Sequence, residues 1–145
     1  MSDEPSLRDV VASDIPIFYE QQADPEAAAM AAFPPRDEAD HFAHLKKILG
    51  DPTVFMRTII FGGEVAGNLV SWATDDGQEI GYWIGRPYWG KGIASAVLPT
   101  FVKLVEQRPL HAYVAEHNAA SIRVLEKAGF VHSGRTEQHL VYTLR

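Results

Sequence analysis

The segment 81–94, GYWIGRPYWGKGIA, holds the strongest chemical pattern of the chain. A strand-like run passes into a loop with Gly90 and Gly92, and the loop passes directly into a helical pattern. Glycines so placed let backbone N–H groups approach the oxygens of a phosphate, because no Cβ stands between them. The positive end of the helix dipole adds attraction for an anion, and Lys91 can supplement it as a point charge. A plain turn uses Gly-x-Gly as freely, so this segment alone decides little. A second segment, 118–130, reads NAASIRVLEKAGF: Asn118 suits a helix cap and Gly129 a helix stop.

Composition removes several other chemistries. The chain has no cysteine, which excludes a disulfide framework, a thiolate zinc site and a cysteine nucleophile, and agrees with a reducing, cytoplasmic setting. Its net charge of −6 and scattered basic residues disfavour a nucleic-acid partner. No long uninterrupted apolar run is present, so no membrane span is expected. His41 and His44 share a helical face at a metal-compatible spacing without an acidic triad; a solvated face is the expectation, with no metal. At 145 residues and 46% hydrophobic content, a single domain over residues 1–145 is expected.

The elements that must carry these segments are set by periodicity and breakers. Residues 6–11 read as a strand, Ser13 and Asp14 open a helix to about Gln22, and Pro25, Pro34 and Pro35 interrupt the chain beyond that helix. Residues 27–33 form at most a helical turn, and a helix runs from Asp37 to about Leu49. Residues 53–61, 65–74 and 78–84 read as three antiparallel strands joined by turns at Gly62-Gly63 and 75–77. After Gly92, Ile93, Val97, Phe101, Leu104 and Val105 share one face of a helix to about Gln107, and Pro99 predicts a kink. Then come a strand at 110–115, a helix at 118–128 and strands at 130–133 and 137–144. The class is mixed α/β with one strand–helix–strand crossover.

Taken with this order of elements, the two segments resemble motifs A and B of the GNAT superfamily of N-acetyltransferases. The Trp-Gly-Lys-Gly loop, Asn118 with Ser121, and Lys127-Ala128-Gly129-Phe130 are most similar to the ribosomal-protein N-terminal alanine and serine acetyltransferases. The resemblance implies a mostly antiparallel, twisted sheet of six to seven strands, splayed between strands four and five, with helices on both faces. It implies acetyl-CoA as cosubstrate, its pyrophosphate on the backbone of Trp89, Gly90, Lys91, Gly92, Ile93 and Ala94. The pantetheine arm would run beside Tyr82, Trp83 and Ile84 and touch Asn118, and Ser121 would stand near the departing thiolate. Two positions depart from the family pattern: Pro87 replaces the Gln or Arg that opens the loop signature, with Arg86 one place early, and Leu125 replaces the motif B Tyr.

An amine must lose its proton before it attacks a thioester. Glu79, at the start of the fourth strand, is the first choice of general base, acting through water. The acceptor pocket is expected from the break around Phe33, from Ser71 and Trp72, and from the final hairpin near Tyr142. His117, next to Asn118, is a lesser candidate for moving a proton. The expected acceptor is a small-molecule amine or a protein N-terminus, and the chain a monomer or homodimer. A dinucleotide oxidoreductase is disfavoured, because Ser95 stands at the third glycine position of its fingerprint and too little chain follows Glu116. A non-catalytic acyl-CoA-binding sensor or partner-binding module remains the rival reading.

Overall fold

The computed structural model describes residues 4–32 and 35–145. Among the described residues the sheet has seven strands: β1 (Ser6–Arg8), β2 (Phe55–Phe61), β3 (Glu64–Thr74), β4 (Gly77–Ile84), β5 (Leu110–Ala115), β6 (Val131–Arg135) and β7 (His139–Leu144). Their spatial order is β1-β2-β3-β4-β5-β7-β6. Every neighbouring pair is antiparallel except β4 with β5, which the helix α4 (Ile93–Leu104) connects. This is the one parallel pair, and it is short. The register runs only from Gln78 opposite Leu110 to Ile80 opposite Ala112, after which the strands part.

Alternation along the strands sends residues to two cores. Ile59, Leu69, Ile80, Leu110 and Val114 pack with Ile93, Val97 and Phe101 of α4 and with Leu125 of α5 (Ala119–Lys127). Met56, Val65 and Val70 face the other way, against Phe18 of α1 (Ile15–Ala23) and Leu45 of α3 (Glu38–Leu49). Burying a side chain such as Phe101, fully shielded here, contributes about 2 kcal/mol. The mixed α/β class and the splayed, mostly antiparallel sheet are as the sequence implies.

Several boundaries shift for identifiable reasons. Pro25 does not break the chain but opens α2 (Pro25–Ala31), because the first helical position needs no N–H donor. Asp14 is buried rather than a surface cap. It receives both guanidinium nitrogens of Arg8 at 2.7 and 2.9 Å, Thr58 Oγ1 at 2.7 Å and the Val11 N–H at 3.0 Å. α4 ends at Leu104, which is exposed, and continues without interruption through Pro99. His41 is not on a solvated face: it is buried edge-on to Tyr19, and desolvation lowers its pKa. No helix of the described residues is long and apolar enough to cross a membrane.

Candidate active site

A cavity of about 400 Å3 lies where β4 and β5 diverge. Tyr82, Trp83 and Ile84 of β4 form one wall; the loop at Trp89, Gly90 and Gly92 and the first turn of α4 (Ile93, Ala94, Ser95) form its head. Asn118, Ser121, Arg123 and Lys127 display the exposed side of α5, and Ala27 and Ala31 of α2 close the rim. Of the residues expected at the cofactor, only Lys91 is absent from this lining; it is exposed on the loop.

The head of the cavity has the form an anion site requires. Gly90 and Gly92 adopt φ of 75° and 74°, and a Cβ at either position would point into open space. Gly92 precedes α4 with no side-chain cap, so the first N–H groups of that 12-residue helix have neither intrahelical partner nor side-chain acceptor. Pro87 lies in a short 3-10 turn, Arg86–Tyr88. Arg86 turns away from the loop and pairs with Asp24 at 2.8 Å and Glu26 at 2.6 Å, fastening the start of α2. The other end of α2 is held by histidines: His117 Nε2 bonds the Ala29 carbonyl and His139 Nε2 the Ala31 carbonyl, each at 3.0 Å. Trp89 Nε1 donates to the Ile84 carbonyl at 2.8 Å and Trp83 Nε1 to that of Gln21 at 3.1 Å, which locks the exit of β4.

Asn118 combines two tasks. Its Oδ1 accepts the Ser121 N–H at 3.2 Å as the cap of α5, which leaves its NH2 group for the cavity. Tyr82 Oη donates to the Ser121 carbonyl at 3.4 Å, and burial raises the phenol's pKa against a weaker lowering by the Ser121 side chain. A phenol that keeps its proton therefore stands beside Ser121, while Leu125 is buried in the core. Sequence reasoning gave Tyr82 a place along the cofactor but missed this donor.

Glu79 lies opposite Trp72 on β3 and His111 on β5. Burial raises its carboxyl pKa, and attraction to a protonated His111 works in the opposite direction. His111 is itself held between Asp76 Oδ2 at 3.1 Å and Thr143 Oγ1 at 2.9 Å. Nothing in sequence spacing joins Glu79 to a histidine 32 positions later; parallel pairing does.

The expected acceptor residues divide. Phe33 lies outside the described residues. Trp72 does not line the cavity, though a methyl at Gly81 would touch its ring at 3.8 Å. Ser71 is instead fully buried, its hydroxyl 2.9 Å from both Gln78 Oε1 and the Glu79 carbonyl, and so braces β3 against β4. Tyr142 is also interior, its ring centroid 5.4 Å from that of His132. Neither lines the cavity. Among the described residues there is no group of three or more His, Asp or Glu side chains able to hold a metal.

Among solved structures, a domain from Methanocaldococcus jannaschii superposes with a TM-score of 0.82 at 19% identity, covering 99% of each chain. A spermidine N-acetyltransferase from Vibrio cholerae, in complex with CoA and spermine, gives 0.80 at 15% identity over 97% of this chain and 93% of its own. An aminoglycoside acetyltransferase in complex with coenzyme A gives 0.78 at 21% identity over 98% and 94%. At such identities these likenesses establish the fold. A comparison with curated proteins finds no match. The family model described as "Acetyltransferase (GNAT) domain" matches residues 6–131, most of the chain and both segments that frame the cavity, and the chain belongs to the GNAT acetyltransferase family.

Proposed function

We propose that this protein transfers the acetyl group of acetyl-CoA to the primary amine of a small molecule. The observation that carries the reading is the uncapped first turn of α4, opening with Gly90 and Gly92 onto a cavity that runs to the parting of β4 and β5. The residues fit the group: backbone N–H donors and a helix N-terminus suit a pyrophosphate, and the open Cβ positions leave room for it. Trp89, Gly90, Gly92, Ile93 and Ala94 would hold that end, with Lys91 adding charge from outside the lining. Tyr82, Trp83, Ile84 and Asn118 would align the arm. Bound acetyl-CoA supplies an activated acetyl thioester. From Gly81 onward β4 has no strand partner on the β5 side, so its backbone can pair with an extended ligand or meet a developing oxyanion.

Glu79 accepts the proton of the incoming amine through water, and its burial suits that task by raising its proton affinity. Ser121 and the protonated Tyr82 stand at the opposite edge, where a departing thiolate needs donors. Relatives in fold bind an aminoglycoside or spermine, which supports a small amine, and the motif likeness to ribosomal-protein acetyltransferases adds a protein N-terminus as a second acceptor class. A thiol-release screen with acetyl-CoA over amines and N-terminal peptides tests the reading. Acetyl-CoA-dependent release with at least one amine is expected. Tight acetyl-CoA binding with no transfer to any acceptor would favour the sensor instead.

A further inference from the structure

A second cavity of about 220 Å3 continues from the first, and Tyr82, Trp83, Asn118 and Ser121 line both. It occupies the gap after Ile80 and Ala112, reaching Asn68 and Val70 on β3 and Tyr113 on β5. Gly81 is part of its wall and stands two places from Glu79 on the same face of β4. Ser121 is in this lining and Glu79 is not, so a group held here would reach the base through water.

Among the described residues, this lining contains no Asp, Glu, Lys, Arg or His. Its polar groups are the amides of Asn68 and Asn118, the hydroxyls of Ser121, Tyr82 and Tyr113, and the Trp83 indole, whose N–H is already given to Gln21. Apart from the base Glu79, carboxylates flanking it in the chain or on α2 are paired: Asp24 and Glu26 with Arg86, and Glu116 with Arg135 at 3.1 Å. The net charge of −6 is therefore not focused on this cavity.

We propose that the acceptor is a monoamine with an uncharged, apolar or aromatic body, and not a polycation. The inference rests on the acetyl-transfer reading above and narrows its substrate. The reacting nitrogen must become neutral, so an uncharged wall does not oppose it. A further ammonium carried in behind it would surrender its hydration and find no carboxylate in the lining, the base Glu79 being engaged with the reacting nitrogen. Aromatic and aliphatic bodies gain instead, by burial against the part-exposed Val70 and Tyr82 and by ring contact with Tyr113 at the mouth.

The test compares kcat/KM with saturating acetyl-CoA for phenethylamine and n-butylamine against spermidine and kanamycin. The monoamines are expected to lead by about tenfold or more. Asn68→Asp, a near-isosteric change that adds one carboxylate to the wall, is expected to raise the spermidine-to-phenethylamine ratio by about tenfold; Tyr113→Asp at the exposed mouth repeats the test should the first variant fold poorly. Preference of the wild type for spermidine or kanamycin overturns the inference and leaves acetyl transfer standing, as does an unchanged ratio in both variants. Stabilisation by acetyl-CoA with no turnover of any amine overturns the acetyl-transfer reading, and this inference with it.

Discussion

Glu79 illustrates how a single carboxylate is tuned by its strand neighbours. Desolvation raises its pKa and a protonated His111 opposes that rise, so the activity of a Glu79 base should climb through a limb above the ordinary glutamate range. His111→Gln deletes the opposing interaction, so that limb is expected to move to higher pH in a kcat/KM profile. Glu79→Gln should lower kcat about a hundredfold while leaving acetyl-CoA-induced thermal stabilisation intact. A His111→Gln limb that moves to lower pH, or a fully active Glu79→Gln, would remove Glu79 from the base position. The glutamate itself was legible from its place at the start of a strand, whereas His111, Asp76 and the Tyr82 donor were not. Their roles depend on partners brought together by the sheet register, at separations no local pattern records.

Elements were legible wherever a periodicity was sustained. The β2-β3-β4 meander and α5 follow the alternation, the turn glycines and the Asn118 cap. The sequence misled where one residue type has two uses, as with Pro25 at the first turn of α2, and where burial is tertiary, as with His41, Ser71 and Tyr142. Asp14 belongs to this second group: its carboxylate ties β1, the turn before α1 and β2 through Arg8, Val11 and Thr58. Burial alone would raise its pKa, but those donors prevail and hold it at about 2. The folded state thus prefers the ionised form more than the unfolded chain does. The resulting stability is complete above the unfolded carboxyl's pKa near ~3.9 and is lost as pH falls through the folded value. Asp14→Asn is expected to lower stability at pH 7 by about 1–3 kcal/mol and to flatten this acid dependence, measured by denaturant unfolding across pH. An unchanged acid profile would mean that the carboxylate network does not persist in solution.

At the scale of the molecule, the cavity coincides with the place where β4 and β5 lose their lateral pairing, between the β1–β4 side and the β5–β7 side. A ligand lying there contacts β4, α4 and α5 together, so its binding should stabilise the folded chain as a unit. Saturation at a hundred times Kd adds about 2.7 kcal/mol, which for a domain of this size raises Tm by roughly 5–10 °C. Acetyl-CoA is expected to produce such a shift and NADH none, because both carry a pyrophosphate but only acetyl-CoA adds an extended arm for the β4 wall, and the described residues lack the repeated βαβ units of a dinucleotide fold. Gly92→Val separates the cradle from the rest of the cavity: a β-branched residue at φ 74° is strained and places its side chain in the space left open for phosphate. That variant should therefore have a lower Tm without ligand and also lose the acetyl-CoA shift. If it kept the shift, or if NADH matched acetyl-CoA, the glycine loop before α4 would lose its role as the cradle that selects this cofactor.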